Sequence, residues 1–197
     1  LEEQERIVEV LDKAFAAIDK AKANIERNLT NARELFQSRL NEIFSNPSED
    51  WEVKPLGSFC EIQNGFAFKS KEYVESGARV IRIGNVQKGE IRDKTPRFMP
   101  TSRIEEFERF LLHENDILIS LTGDVGRVGR FPNELLPALL NQRVGRFQGV
   151  DEARVNLDFL FQLLNSDWFE KQVIASAEGA AQMNSSTKKI KAIEIPL

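Results

Sequence analysis

Cys60 and His113 are the only cysteine and the only histidine in the 197 residues. A Cys/His metal cluster is therefore excluded, and the chain offers no Cys–His or Ser–His nucleophilic pair. His113, in LLHEND, reads as a surface turn residue, and Cys60 as a small core residue. A magnesium-dependent nuclease needs two or three converging acids, often with a lysine, at a strand end. Asp116 stands alone before an apolar run, Asp124 sits in a Gly-rich turn, and no acid-x-Lys pair follows either. The run TGDVGRVGRF (122–131) has glycines three apart, but neither dinucleotide-fingerprint spacing nor the Gly-Lys-Ser/Thr of a phosphate loop. It leads into β-type residues, so it is expected to be a tight turn between strands. No methyltransferase-type cofactor motif appears. The residues point to binding rather than catalysis.

What the side chains do offer is nucleic-acid chemistry. Arg and Lys contact phosphates, while Arg, Asn, Gln, Ser and Thr hydrogen-bond base edges. Such residues concentrate in NGFAFKSKEY (64–73), RIGNVQKGEIRDKTPR (82–97) and QMNSSTKK (182–189). The expected DNA contacts are Lys69, Arg82, Asn85, Lys88, Arg92, Arg97, Arg127, Arg143, Gln182, Asn184 and Lys188. Ordinary solvated loops are built from the same residue types. Arg127 and Arg143 also have Asp124 and Glu134 as candidate ion-pair partners.

Net charge is −4, which on its face disfavours DNA, but the charge is unevenly spread. Residues 1–50 hold 7 basic and 11 acidic side chains; residues 51–147 hold 15 and 13. Between positions 79 and 103 seven cations face only Glu90 and Asp93. An acidic segment is thus joined to a domain with a basic stretch.

The acidic segment has the composition of a long helix. Residues 1–44 contain no Gly or Pro and are rich in Ala, Glu, Leu, Lys and Arg. Apolar residues follow a heptad: Val8, Phe15, Leu29, Phe36 and Ile43 at a, Leu11, Ile18, Ile25 and Ala32 at d. Lys22 and Arg39 interrupt it, and Ile7, Ala14, Ala21 and Leu35 widen it. Such a helix is roughly 65 Å long at 1.5 Å per residue and has no core of its own. It is expected to pair with another helix. It should stop near Phe44, because Pro47 in Ser45-Asn46-Pro47-Ser48 disfavours helix just before it.

From Trp51 the pattern changes to short β-branched runs: Val80–Ile83, Ile117–Ser120, Val125–Phe131, Val144–Phe147 and Ile190–Ile195. A helix is expected over 156–175 with Asn156 as N-cap. The fold class is α+β: a coiled-coil-forming helix (1–46) followed by a strand-rich α/β domain (47–197). No apolar run is long enough for a membrane helix. With the lone cysteine and an N-terminus unlike a signal peptide, this favours the cytoplasm.

In order along the chain, LEEQERIVEVLD, EDWEVKPLGSF, NGFAFKS, GARVIRIGNVQKGEI, ENDILISLTGDVGRVGRF, LNQRV and EGAAQMNSSTKKIKAIEIPL resemble the landmarks of type I restriction-modification specificity subunits. The first resembles the start of their spacer helix, the rest their target-recognition domain. In that family a phrase like IPLPPLEEQERI joins a recognition domain to the next helix. LEEQERI and IEIPL stand at the two ends here. The resemblance therefore implies one helix and one recognition domain, about half of a complete subunit; a natural half-subunit and an excised fragment both fit.

The resemblance further implies that the domain reads one half of a split DNA target while paired helices set the gap. It implies modification (methyltransferase) subunits carrying S-adenosylmethionine, and a restriction subunit using ATP and Mg²⁺, with no cofactor on this chain. A rod of roughly 65 Å matches about two turns of duplex at ~34 Å per turn, which suits a ruler. With a single helix, Val8, Leu11, Phe15, Ile18, Ile25, Leu29 and Phe36 are expected to pack on a second copy as an antiparallel twofold dimer. A protein-binding coiled-coil adaptor and an enzyme acting on DNA are the other classes; the first leaves the basic loops idle, and the second lacks its motifs.

Overall fold

The computed structural model describes residues 1–177 and 185–197. Helix α1 runs from Glu2 to Ser45. Glu2, Glu3 and Glu5 in its first turn face the positive end of the helix dipole. Asn46 closes it, its N–H donating to the Glu42 carbonyl at 3.1 Å, and Pro47 prevents further helix.

Only the last turns of α1 touch the domain. Phe44 is 3% exposed, with ring centroids 6.5 Å from Trp51, 5.9 Å from Phe159 and 6.2 Å from Trp168. The Asn41 side chain accepts from the Trp168 N–H at 2.8 Å. Gln37, Leu40, Asn41 and Phe44 make up the shielded face at this root. At 100° per residue that face lies roughly 90° around the helix from Ile25, Leu29, Phe36 and Ile43. The chain's own domain therefore leaves the stripe uncovered. Val8, Leu11, Phe15, Ile18, Ile25, Leu29, Phe36 and Ile43 are each 46% to 66% exposed.

The domain is built on three small sheets. The largest has order β2 (Glu61–Asn64), β9 (Val144–Gln148), β6 (Ile117–Ser120), β7 (Val128–Arg130), β4 (Gly89–Glu90), antiparallel except for β4 beside β7. The second has order β5 (Phe98–Met99), β3 (Ala78–Ile81), β8 (Ala138–Leu140), with β3 and β8 parallel. The third pairs β1 (Val53–Pro55) antiparallel with β10 (Glu194–Pro196). Strand β6 is buried on both faces: Ile117 and Ile119 face a core shared with the helices, and Leu118 joins a second cluster with Ile81, Leu140 and Val144. That is why it reads as a continuous apolar run rather than an alternating one.

Three helices, α2 (Leu157–Leu164), α3 (Asp167–Ala177) and α4 (Thr187–Lys191), cover one face of the large sheet. Asn156 caps α2 as expected, its Oδ1 accepting from the N–H groups of Asp158 (2.9 Å) and Phe159 (3.0 Å).

Two expectations are corrected. The single helix over 156–175 is broken at Asn165-Ser166. There the Ser166 hydroxyl donates to the Leu163 carbonyl and accepts from the Phe169 N–H, so one side chain ends α2 and starts α3. Ile190 does not begin a strand: it is the buried residue of α4, whose N-cap is Ser186, and β10 starts four residues later.

The α+β class stands as expected, as does the hairpin at the Gly-rich run. There Gly123 (φ 68°) and Gly126 (φ 86°) supply the left-handed turn between β6 and β7. Among the described residues no helix is long and apolar enough to cross a membrane.

Candidate nucleic-acid interface

The turn Asn141–Arg143 carries the chain from β8 in the second sheet to β9 in the first. Bonds to two other segments and one across the turn itself hold it. The Asn141 N–H donates to the Ile81 carbonyl (3.1 Å), the Gln142 N–H to Phe66 (2.9 Å), and the Val144 N–H back to Asn141 (2.9 Å). Gly65 lies against it so closely that a Cβ there would be 2.3 Å from the carbonyl oxygens of Leu140 and Asn141. Only glycine lets the 64–73 loop approach the turn this nearly.

A buried polar chain shapes the neighbouring loop. Asn85 is 3% exposed. Its Oδ1 accepts from the Arg82 N–H (2.8 Å), and its Nδ2 donates to the Arg92 carbonyl (3.0 Å) and to Asp93 (2.9 Å). Asp93 in turn pairs with Arg79 at 3.1 Å, and Arg79 lies over the Phe98 ring. The charge of Asp93 is thus met inside the loop. The Arg82 guanidinium reaches across to Thr95, donating through Nη2 to its carbonyl (2.7 Å) and hydroxyl (3.3 Å), while its buried Nε has no partner.

Together these segments frame a concavity of about 450 Å³. It is lined by Ser70 and Tyr73 from the first loop, Arg82, Lys94 and Thr95 from the second, and Asn141, Gln142 and Arg143 from the turn. Three cations line it and, among the described residues, no carboxylate does.

The sequence-derived contacts divide on this geometry. Arg82 and Arg143 meet in the concavity, and Lys69 is exposed one residue before Ser70. Asn85 borders the concavity, but it is buried and its amide is committed to the loop, so it shapes the surface rather than meeting DNA. Lys88 is drawn to α3, where it pairs with Asp167 and Glu170; this hydrogen bond holds the Asp167 carboxyl below the usual carboxylate range. Arg92 pairs with Glu90 and Arg127 with Asp124, so each is neutralised locally. Arg97 is exposed and donates to the Pro96 carbonyl at 3.0 Å. Lys188 is exposed on α4, outside the concavity. Gln182 and Asn184 lie outside the described residues.

Sequence reasoning passed over Ser70, Tyr73, Lys94, Thr95, Asn141 and Gln142. Lys94 was visible within the seven-cation stretch. Ser70, Tyr73 and Thr95 fall in the two stretches already singled out, whereas Asn141 and Gln142 needed the crossing of β8 into β9, which no local pattern encodes.

Behind the concavity Arg146 ties the scaffold together. Its Nη1 donates to the Leu111 carbonyl (2.6 Å) and Asp116 (3.2 Å), and its Nη2 to Gln63 (2.5 Å). His113 is exposed at a turn where its N–H meets Asp116. Cys60 is buried, which pushes its thiol up to about 12. Among the described residues no group of three His, Cys, Asp or Glu is placed to hold a metal.

A long helix with an uncovered apolar stripe, rooted in a domain that presents a cationic concavity, defines a two-part binding module. The family model described as "Type I restriction modification DNA specificity domain" matches residues 48–197, and the chain belongs to that family. It is 31% identical over 216 residues to the type I restriction enzyme MjaVIII specificity subunit of Methanocaldococcus jannaschii, across the whole of this chain and 50% of that protein. It is 33% identical over 153 residues to the EcoAI specificity subunit of Escherichia coli, across 76% of this chain and 26% of that one. The chain thus spans half or less of the length of these relatives.

The fold is similar to that of the HsdS subunit from Thermoanaerobacter tengcongensis (TM-score 0.61, 20% identity, 100% of this chain and 46% of that one). It is similar again to a chain in a structure describing assembly and conformational transition of the type I R-M system (TM-score 0.63, 20% identity, 100% and 47%).

Proposed function

We propose that this chain is a non-catalytic DNA reader that recognises one half of a bipartite target, with α1 as the spacer that sets the distance to a second reader. The observation that carries the DNA part is the concavity: Arg82, Lys94 and Arg143 converge from separate loops with no carboxylate among the lining residues. An overall charge of −4 does not oppose this, because the acidic excess sits on α1 and the cations are local to the reading face.

The helix supports the spacer part. Eight large apolar side chains along it are about half exposed and are not covered by the domain. A second copy covers them best as an antiparallel pair, which places two identical readers at opposite ends of one rod. The partners in this reading are duplex DNA, modification subunits bringing S-adenosylmethionine, and a restriction subunit bringing ATP and Mg²⁺, all in the cytoplasm.

The test is selection from a random DNA library, with the chain alone and with its cognate modification subunit, alongside light scattering. Enrichment of a split inverted repeat and a dimer mass are expected. No enriched motif under either condition would reject the DNA reading in favour of a protein-binding adaptor. A monomer at tens of micromolar would reject the helix pairing and leave the DNA reading standing.

A further inference from the structure

Base edges lie at the floor of a groove, about 8.5 Å deep on the major side, so the groups that read them must protrude. Phosphates form the ridges of the duplex, so the groups that hold them suit a recess. The surface where Arg82, Lys94 and Arg143 converge is recessed. We infer that this concavity, formed by the Asn141–Arg143 turn and the 82–95 loop, is a seat for the DNA phosphodiester backbone and does not read sequence. This rests on the chain being a DNA reader.

Four observations favour a phosphate there. The cations at the lining are not offset by any carboxylate among the lining residues. Their neighbours are hydroxyls and amides, Ser70, Tyr73, Thr95 and Gln142, which hydrogen-bond phosphate oxygens as readily as anything else. The Arg82 guanidinium is held by two Nη2 bonds to Thr95, while its Nη1 makes no hydrogen bond within the described residues, so the cation is fixed in place with donor capacity left over. Finally, the turn is clamped by backbone bonds to Ile81 and Phe66, which gives the rigid positioning that register on the duplex requires.

Lys94 and Arg143 suit the test because neither side chain makes a hydrogen bond or ion pair within the described residues, so the alanine variants remove charge without removing a structural bond. Duplex affinity is measured across a salt series for wild type, Lys94→Ala, Arg143→Ala and the double variant, with motif selection on each. Each single variant is expected to weaken binding about eightfold at 0.1 M salt, equally on target and scrambled duplex. Each should also flatten the log K against log salt slope by about 0.9. The enriched motif should be unchanged. A scan of target duplexes with single neutral methylphosphonates should find one or two positions that weaken wild type but not the double variant.

A motif altered at a base pair in either variant would overturn the inference, as would unchanged affinity and slope, with the DNA reading intact in both cases. A wild-type chain that enriches no motif, alone or with a modification subunit, would reject both.

Discussion

The helix and the domain use the same kinds of apolar residue to opposite ends. Phe15 is 60% exposed on α1, whereas Phe169 in the domain is fully buried; Ile25 is 66% exposed, whereas Ile119 is fully buried. Within the helix, ladders of i,i+3 and i,i+4 pairs such as Arg6–Glu3 and Lys13–Glu9 run along the surface. They are worth only a few tenths of a kcal/mol each, and the domain buries only the helix's last turns. The domain closes its own core in three clusters. Stability in one region is intramolecular; in the other, under the pairing proposed above, it depends on concentration.

Substitutions separate these two kinds of stability, taken from the largest expected effect on domain folding to the smallest. Phe169→Ala empties a fully buried site in the core shared by the helices and the large sheet, and is expected to destabilise the domain by about 3–5 kcal/mol in urea unfolding. An effect below 1 kcal/mol would mean that the domain core is not self-supporting.

Phe44→Ala strikes the joint, where one ring holds the helix to Trp51, Phe159 and Trp168. A loss of about 3 kcal/mol is expected, with a red shift in tryptophan emission, because Trp51 and Trp168 are the only tryptophans and both pack there. If the emission maximum does not move, the joint is not formed in solution.

Asp167 links the Lys88 loop to α3 with a folded-state pKa below its ordinary value. A carboxyl depressed on folding contributes stability above its unfolded pKa, and that contribution is lost as pH falls through the depressed value. Asp167→Asn should therefore flatten the acid limb of the stability curve. Both partners are more than a third exposed and screened, so the loss near neutrality stays under about 1 kcal/mol. An acid limb identical to wild type would assign that limb to other carboxyls.

Phe15→Asp combined with Ile25→Asp should leave the domain transition where it is and weaken dimerisation at least about tenfold, since each buries a charge in an apolar seam. Analytical ultracentrifugation reads the second outcome and thermal unfolding the first. A lowered domain melting point would show that the helix stripe does support the domain after all.

The same contrast explains what the sequence made legible. The helix was readable nearly to the residue, ending at Ser45 where Phe44 and Pro47 placed the stop, because its period is local and unbroken. Strand β6 was also read directly, since three consecutive apolar residues between turn residues leave few alternatives. Strands β4 and β5 were missed: two residues each carry no period, and they exist only through pairing with β7 and β3.

The binding face was half legible for a related reason. Arg82 and Arg143 were identifiable by residue type. Whether an arginine is free or spent depends on partners brought by the fold, as with Lys88 and the α3 acids 79 and 82 positions away. Asn85 looked like a reader because asparagine reads adenine, yet burial turned the same amide into a loop brace.

Strand β1 lies antiparallel against β10, and beyond them Glu52 and Leu197 exchange hydrogen bonds of 2.8 and 2.9 Å. Residues 53–55 and 194–196, far apart in sequence, thus meet at one seam of two neighbouring strands only ~4.8 Å apart. Every residue that lines the concavity is looped out between those two strands, so a single pair of neighbouring strands closes the frame that carries it.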